Sequence, residues 1–195
     1  MVRSLFAVRA LLLLVLLGGC AVVPPPVLYV LKPAGVTVSV PAVKAVVGVA
    51  LGPLTVPEYL DRSDMVRRAT DNRLVVSDRE RWAETLRSGM QRVLAIALAD
   101  RLGAGYWLAG AAARAAQVEL ELPIEVESFE IDADGLALLA VRWELRATRD
   151  EKVLERGRKR YQRSARPDQV EDQVRVLSAL LDEFAADLAA AVRRR

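Results

Sequence analysis

The sequence contains no histidine, one cysteine and only four lysines, at 32, 44, 152 and 159. Without histidine there is no Ser-His or Cys-His nucleophile pair. The commonest general base and the commonest metal ligand are also missing. A single cysteine excludes an internal disulfide, so apolar packing has to hold the fold. Aromatic residues make up only 5% of the chain, so the core has to be built mainly from Leu, Val and Ala. Acidic residues stand scattered along strands and turns, Asp132 and Asp134 in a turn and Glu119 to Glu127 along one strand face. They do not form a catalytic pair. These absences argue against an enzyme and against a cofactor or metal site.

What is present begins at the front. Arg3 and Arg9 flank a basic start, Ala10 to Leu17 is an apolar run, and Gly18-Gly19 is a small-residue exit. That order is a secretory signal. The run is too short to cross a bilayer, which takes about 20 apolar residues. Cys20, the only thiol, follows the small residues directly. Leu17-Gly-Gly-Cys20 resembles the bacterial lipoprotein signal, in which the cysteine is acylated and becomes the first mature residue. Residues 1–19 are therefore expected to be removed, and Cys20 to carry the lipid. The 176 residues left, with 26 basic and 25 acidic side chains, have a net charge of +1. The pI of about 9.3 therefore owes much to the leader and carries no nucleic-acid footprint. Residues 20–26 form a tether whose Pro24-Pro-Pro26 favours an extended conformation.

Residues 27–195 read as one α/β domain, a mixed sheet of about five to six strands with two long amphipathic helices packed on it. Val27 to Leu31 is a strand closed by Pro33, and Val36 to Val43 is a looser apolar stretch. Ala45 to Leu51 is apolar on both parities, as in a strand buried on both faces, and Gly52-Pro53 should end it. A helical turn can start after Pro57. Asp64 to Ala69 and Arg73 to Val76 form a hairpin about Asp71-Asn72. Ser77-Asp-Arg-Glu80 matches a capping box and predicts a helix from there. Its apolar face is Trp82, Leu86, Met90, Val93, Leu94, Ala97, Leu98 and Leu102, with Trp82 in the core.

Val118 to Ile131 and its return strand predict a hairpin turned by Asp132-Ala-Asp-Gly135. A turn centred on 133 and 134 places Ile124 opposite Trp143 and Val126 opposite Val141. The same register places Glu125 opposite Arg142 and Glu121 opposite Arg146, so apolar and ionic pairings agree. Parity changes near Ser128 and Leu139 predict a bulge. Lys152 to Arg163 reads as a basic strand that blunts a sheet edge or meets anionic headgroups or an acidic partner. From Pro167-Asp168 a last helix carries the stripe Val170, Val174, Leu177, Leu181, Phe184, Leu188 and Val192, suited to packing on the sheet.

The chain resembles the auxiliary lipoproteins of ABC-type transport systems, of the PqiC kind. The resemblance rests on Tyr29-Val-Leu, Val47-Gly-Val-Ala-Leu-Gly-Pro53, Pro57-Glu-Tyr-Leu-Asp-Arg62, Asn72-Arg-Leu, Arg81-Trp-Ala-Glu84 with Leu86, and the Phe129 to Trp143 hairpin with Gly135. It covers most of residues 27–190 and fades over the Ala- and Gly-rich 103–117. It implies an accessory subunit of a lipid-transport complex with an MCE-domain protein and an inner-membrane ABC permease and ATPase. A homo-oligomeric ring is an arrangement this role admits. Ala21, where an Asp would retain the protein at the inner membrane, resembles the outer-membrane sorting signal. Tyr59, Leu60 and Arg62 are the candidate partner-binding residues, because a Tyr and an Arg on a loop are typical anchors. The competing reading of Tyr59 and Leu60 is that they close the core. An alternative function is that of a lipid-binding or outer-membrane-assembly lipoprotein with its own apolar pocket, left by 103–117.

Overall fold

The computed structural model describes residues 24–33, 48–102, 108–109 and 118–195. The expected signal, Cys20, the 36–43 stretch and nearly all of 103–117 lie outside those residues. Ten elements follow in order: β1 (Val27–Tyr29), β2 (Val49–Thr55), β3 (Asp64–Thr70), β4 (Arg73–Trp82), α1 (Leu86–Leu102), β5 (Leu108–Ala109), β6 (Leu120–Ile131), β7 (Leu136–Ala147), β8 (Val153–Ser164) and α2 (Val170–Arg193). They make a single α/β domain with two mixed sheets. The strand orders are β1-β4-β3 and β5-β2-β6-β7-β8. In the larger sheet β2 runs parallel to both β5 and β6, whereas β6, β7 and β8 are antiparallel.

The hairpin register is the one the side chains predict. Ile124 faces Trp143, Val126 faces Val141, Glu125 faces Arg142 and Glu121 faces Arg146. The pairing slips between Val126 and Ser128, where the apolar parity changes. At the tip, Asp132 Oδ1 accepts the N–H groups of Asp134 and Leu136. Gly135 adopts φ +84°, a left-handed backbone that costs glycine little.

Strand β2 differs from the expectation at its end. Val49, Ala50 and Leu51 are buried as predicted, but the strand passes through Gly52-Pro53 to Thr55 and also buries Leu54. Its register slips between Leu51 and Leu54. Pro53 therefore sits at an irregularity, where its missing N–H removes no ladder bond.

The first long helix starts later than Ser77 predicts. Residues 77–82 are the end of β4, paired in parallel with β1 from Val27↔Glu80 to Tyr29↔Trp82. The Ser77 hydroxyl still accepts the Glu80 N–H at 3.0 Å, yet pairing with β1 decides the backbone. Local capping chemistry has yielded to a tertiary partner. Helix α1 is capped instead by Thr85, whose Oγ1 accepts the Ser88 N–H at 3.4 Å. Its apolar face from Leu86 to Leu102 is buried as expected, and Trp82, at 7% exposure, lies in the core.

Helix α2 packs on β6, β7, β8 and α1. Val174, Leu177, Leu181, Phe184 and Leu188 of its stripe are buried, and Val170 and Val192 pack at the margin. Asp168 does not cap it. Gln169 is the N-cap, without a side-chain bond, and Asp172 in the first turn reaches back to the Arg166 N–H at 2.9 Å. Arg101 of α1 joins Asp182 of α2 at 2.8 Å, which pins the two helices to each other.

Candidate docking surface

Pro57 to Asp64 join the two sheets. The Pro57 carbonyl accepts the N–H groups of Leu60 and Asp61 at 2.9 and 3.2 Å, so the expected helical turn is a single one. The turn sends its side chains in different directions. Leu60 enters the core at 3% exposure. Tyr59 is half-buried against the core, and its hydroxyl donates to Glu130 Oε2 at 3.5 Å. Arg62 is exposed and donates to Asp64 at 3.0 and 3.2 Å. Of the three predicted partner-binding residues, Leu60 thus belongs to the interior, and Tyr59 and Arg62 remain at the surface.

The loop is braced from three sides. Asp61 pairs with Arg87 of α1. Asp64 takes both Arg62 and Arg81 of β4. Behind Tyr59, Glu130 of β6 is only 4% exposed and binds Arg68 Nε of β3 at 2.6 Å. Arg68 also donates to the Asp71 carbonyl at 2.6 Å. Burial and then the Glu130 charge push the Tyr59 pKa up, which keeps its hydroxyl protonated as a donor. The bond to Glu130 raises the pKa of Arg68. This Tyr59–Glu130–Arg68 cluster ties the loop to both sheets.

Sequence reasoning missed Glu130 and Arg68 as parts of this surface. Glu130 lies 71 residues from Tyr59 and 62 from Arg68. One signal was available: Glu130 sits between Phe129 and Ile131, both buried. A carboxylate there needs a cation from another element.

Beside the loop, Thr55, Val56 and Pro57 form one wall of an open groove of about 540 Å³. Glu127, Arg142, Arg158 and Arg160 line the other side. Glu127 binds Arg158 and Arg142, and both guanidinium groups hold its carboxyl below the usual range. Among the described residues there is no cluster of three or more metal-ligating side chains. No helix among them is long and apolar enough to cross a membrane.

Fold and loop together define a two-helix, two-sheet α/β domain with a rigidly braced polar surface loop. The chain belongs to the family described as the ABC-type transport auxiliary lipoprotein component, whose model matches residues 29–189. No curated protein matches it. Among solved structures, a crystal structure of an uncharacterized protein aligns with a TM-score of 0.69 at 18% identity, covering 87% of this chain and 99% of its own. A protein from Xanthomonas campestris aligns at 0.62 and 17% identity, covering 85% of this chain and 91% of its own. At such identities the likeness is one of fold.

Proposed function

We propose that the protein is a non-catalytic accessory subunit of an MCE/ABC-type lipid transport system. It is fastened through acylated Cys20 to the periplasmic face of the outer membrane. There it docks the MCE-domain conduit, which an inner-membrane ABC permease and ATPase serve from the other side. The observation that carries this reading is the family match over residues 29–189. The Leu17-Gly-Gly-Cys20 signal and the absence of histidine support it.

Tyr59 and Arg62 form the docking contact in this reading. Tyrosine and arginine are enriched among residues that dominate interface energy. A loop held by fixed ion pairs loses little conformational entropy on binding. Copies of the chain arranged as a ring around the conduit fit the same role.

The test is co-purification of the MCE-domain protein with wild type and with Tyr59→Ala/Arg62→Glu. Loss of the partner from a variant that melts like wild type is the expected result. Full retention by a folded variant removes the docking role. Mass spectrometry of the isolated protein reads two further points. Acyl chains are expected on Cys20, and Cys20→Ser should lack them. Phospholipid that co-purifies in stoichiometric amounts would instead favour the lipid-binding alternative.

A further inference from the structure

Strand β8 is the outer strand of the larger sheet. Its pairing with β7 runs without a slip from Leu136↔Ser164 to Leu145↔Glu155. Edge strands are ordinarily kept short, bulged or interrupted by proline, because a bare edge recruits other strands. Arg156 to Ser164 has none of those three; its one protection is positive charge, which repels a strand of like charge and leaves the edge open to an acidic one. Among the described residues, no strand pairs with its open side.

The direction of its backbone groups follows from one bond. The Ala165 N–H donates to the Gly135 carbonyl at 2.8 Å, one step beyond Leu136↔Ser164 in the same register. In an antiparallel ladder alternate residues bond to the partner strand, and those between them point away. The odd-numbered residues 155–163 are therefore bonded to β7. The N–H and C=O groups of Arg156, Arg158, Arg160 and Gln162 point to the open side. Leu154 agrees with this parity, since its carbonyl accepts Arg195 Nη2 at 2.6 Å from outside the sheet. That contact closes one end of the edge.

The strand is also charged. Val153–Ser164 holds five basic residues and one acidic residue, a net of +4. Lys159 and Arg163 are engaged by Asp187 and Glu183 of α2. Arg158 shares Glu127 with Arg142. Arg156 and Arg160 are exposed and have no ion-pair partner among the described residues. The strand therefore offers outward main-chain donors and acceptors, with guanidinium groups at every second residue on the face away from α2.

Charge selects the occupant. A second copy pairing β8 to β8 would set +4 against +4, and like charges opposite one another are destabilising. An anionic membrane suits the face poorly, because Glu125, Glu127 and Glu144 stand among the arginines of the neighbouring strands. A strand laid along the edge meets the arginine row first. We propose that the open edge of β8, Arg156 to Ser164, takes up an extended segment of a partner protein as an added strand, with acidic residues at alternate positions facing Arg156, Arg158 and Arg160. Main-chain bonds supply affinity and the alternating carboxylates supply selectivity, as in other strand additions. This contact uses the main chain of β8 and no residue of the Tyr59–Arg62 loop, although Arg158 and Arg160 also line the groove beside that loop; it stands whether or not the loop docks the conduit.

The test starts from a random peptide display library selected on the full-length protein in detergent. Enriched sequences are expected to carry Asp or Glu at alternate positions. Gln162→Pro deletes an outward N–H without removing a bond to β7. It is expected to weaken a selected peptide about tenfold, comparable to losing one or two hydrogen bonds. Arg156→Glu/Arg160→Glu should weaken it at least as much. N-methylation of alternate amides in the peptide should do the same, and that change cannot disturb the fold of the protein. Three results overturn the proposal. One is enrichment of sequences without acidic residues, or no enrichment. The second is acidic binding that neither Gln162→Pro nor N-methylation reduces. The third is tight binding to phosphatidylglycerol vesicles that competes with the peptide and is insensitive to Gln162→Pro, which assigns the arginines to headgroups.

Discussion

The indole of Trp143 occupies the space that a β-carbon at Gly157 would need. An ideal Cβ there would lie 2.6 Å from Nε1 and 2.8 Å from Cε2. The two residues are direct partners across β7 and β8, and Trp143 is 7% exposed. Gly157→Ala should therefore cost about 1–3 kcal/mol through overpacking, and Trp143→Ala about 3–5 kcal/mol. The double variant should cost clearly less than the sum, because the added methyl enters space the ring has vacated. Urea denaturation of the four proteins gives the coupling. Additive costs would show that the ring and the glycine are independent.

Glu130 and Arg68 form the pair behind Tyr59. Removing only the cation strands a carboxylate that is 4% exposed, so Arg68→Met should cost about 3 kcal/mol. Arg68→Met/Glu130→Leu should recover much of that loss, since an apolar pair needs no compensating charge. A double-mutant cycle by chemical denaturation checks this. Equal stability of the single and double variants would contradict it.

The loop separates packing from recognition. Leu60→Ala removes a core side chain and should lower stability by about 2–5 kcal/mol. Arg62→Glu, at an exposed position, should stay within about 0.5 kcal/mol while reducing capture of the partner. Thermal melts and pull-downs on the same preparations separate the two effects. A stability loss for Arg62→Glu as large as that for Leu60→Ala would refute the division.

Asp172 gives the fold an acid-sensitive joint. The Arg166 N–H, followed by the Arg175 guanidinium, holds its carboxyl at about 2, against an ordinary 3.8. A pKa lowered by folding stabilises above the unfolded value and fades as pH falls through the folded one. Asp172→Asn should therefore melt below wild type at neutral pH. The gap should narrow between about pH 4 and pH 2 and close below that. Melting curves across this range provide the check, and a gap independent of pH would exclude the charge as the cause.

Much of this architecture is legible in the chain, for physical reasons that differ by element. The β6–β7 register is readable because Ile124 with Trp143 and Glu125 with Arg142 demand the same alignment. The α2 stripe is readable because a helix repeats its environment every few residues. The end of β4 is not, since Ser77 and Glu80 make their short-range contact in a strand that β1 has claimed. Which strands share a sheet is equally hidden, because β1 with β4 and β2 with β6 pair in parallel across long stretches of chain. At the candidate surface, Tyr59 and Arg62 could be named from residue type and loop position. The burial of Leu60 and the role of Glu130 depend on neighbours far along the chain.

Strand β1 is only three residues long, yet it is where the chain leaves the prolines and enters the body of the protein. It lies parallel to β4. At its end and just beyond it, the Tyr29 carbonyl accepts the Ala83 N–H, the Leu31 carbonyl accepts Arg92, and the Lys32 N–H reaches Ser178. A pull on the leading end along the strand axis loads these bonds side by side, as a lap joint does, instead of peeling them one after another. Whatever holds the front of the molecule in place can therefore transmit tension into the sheet and both helices without first unravelling the seam.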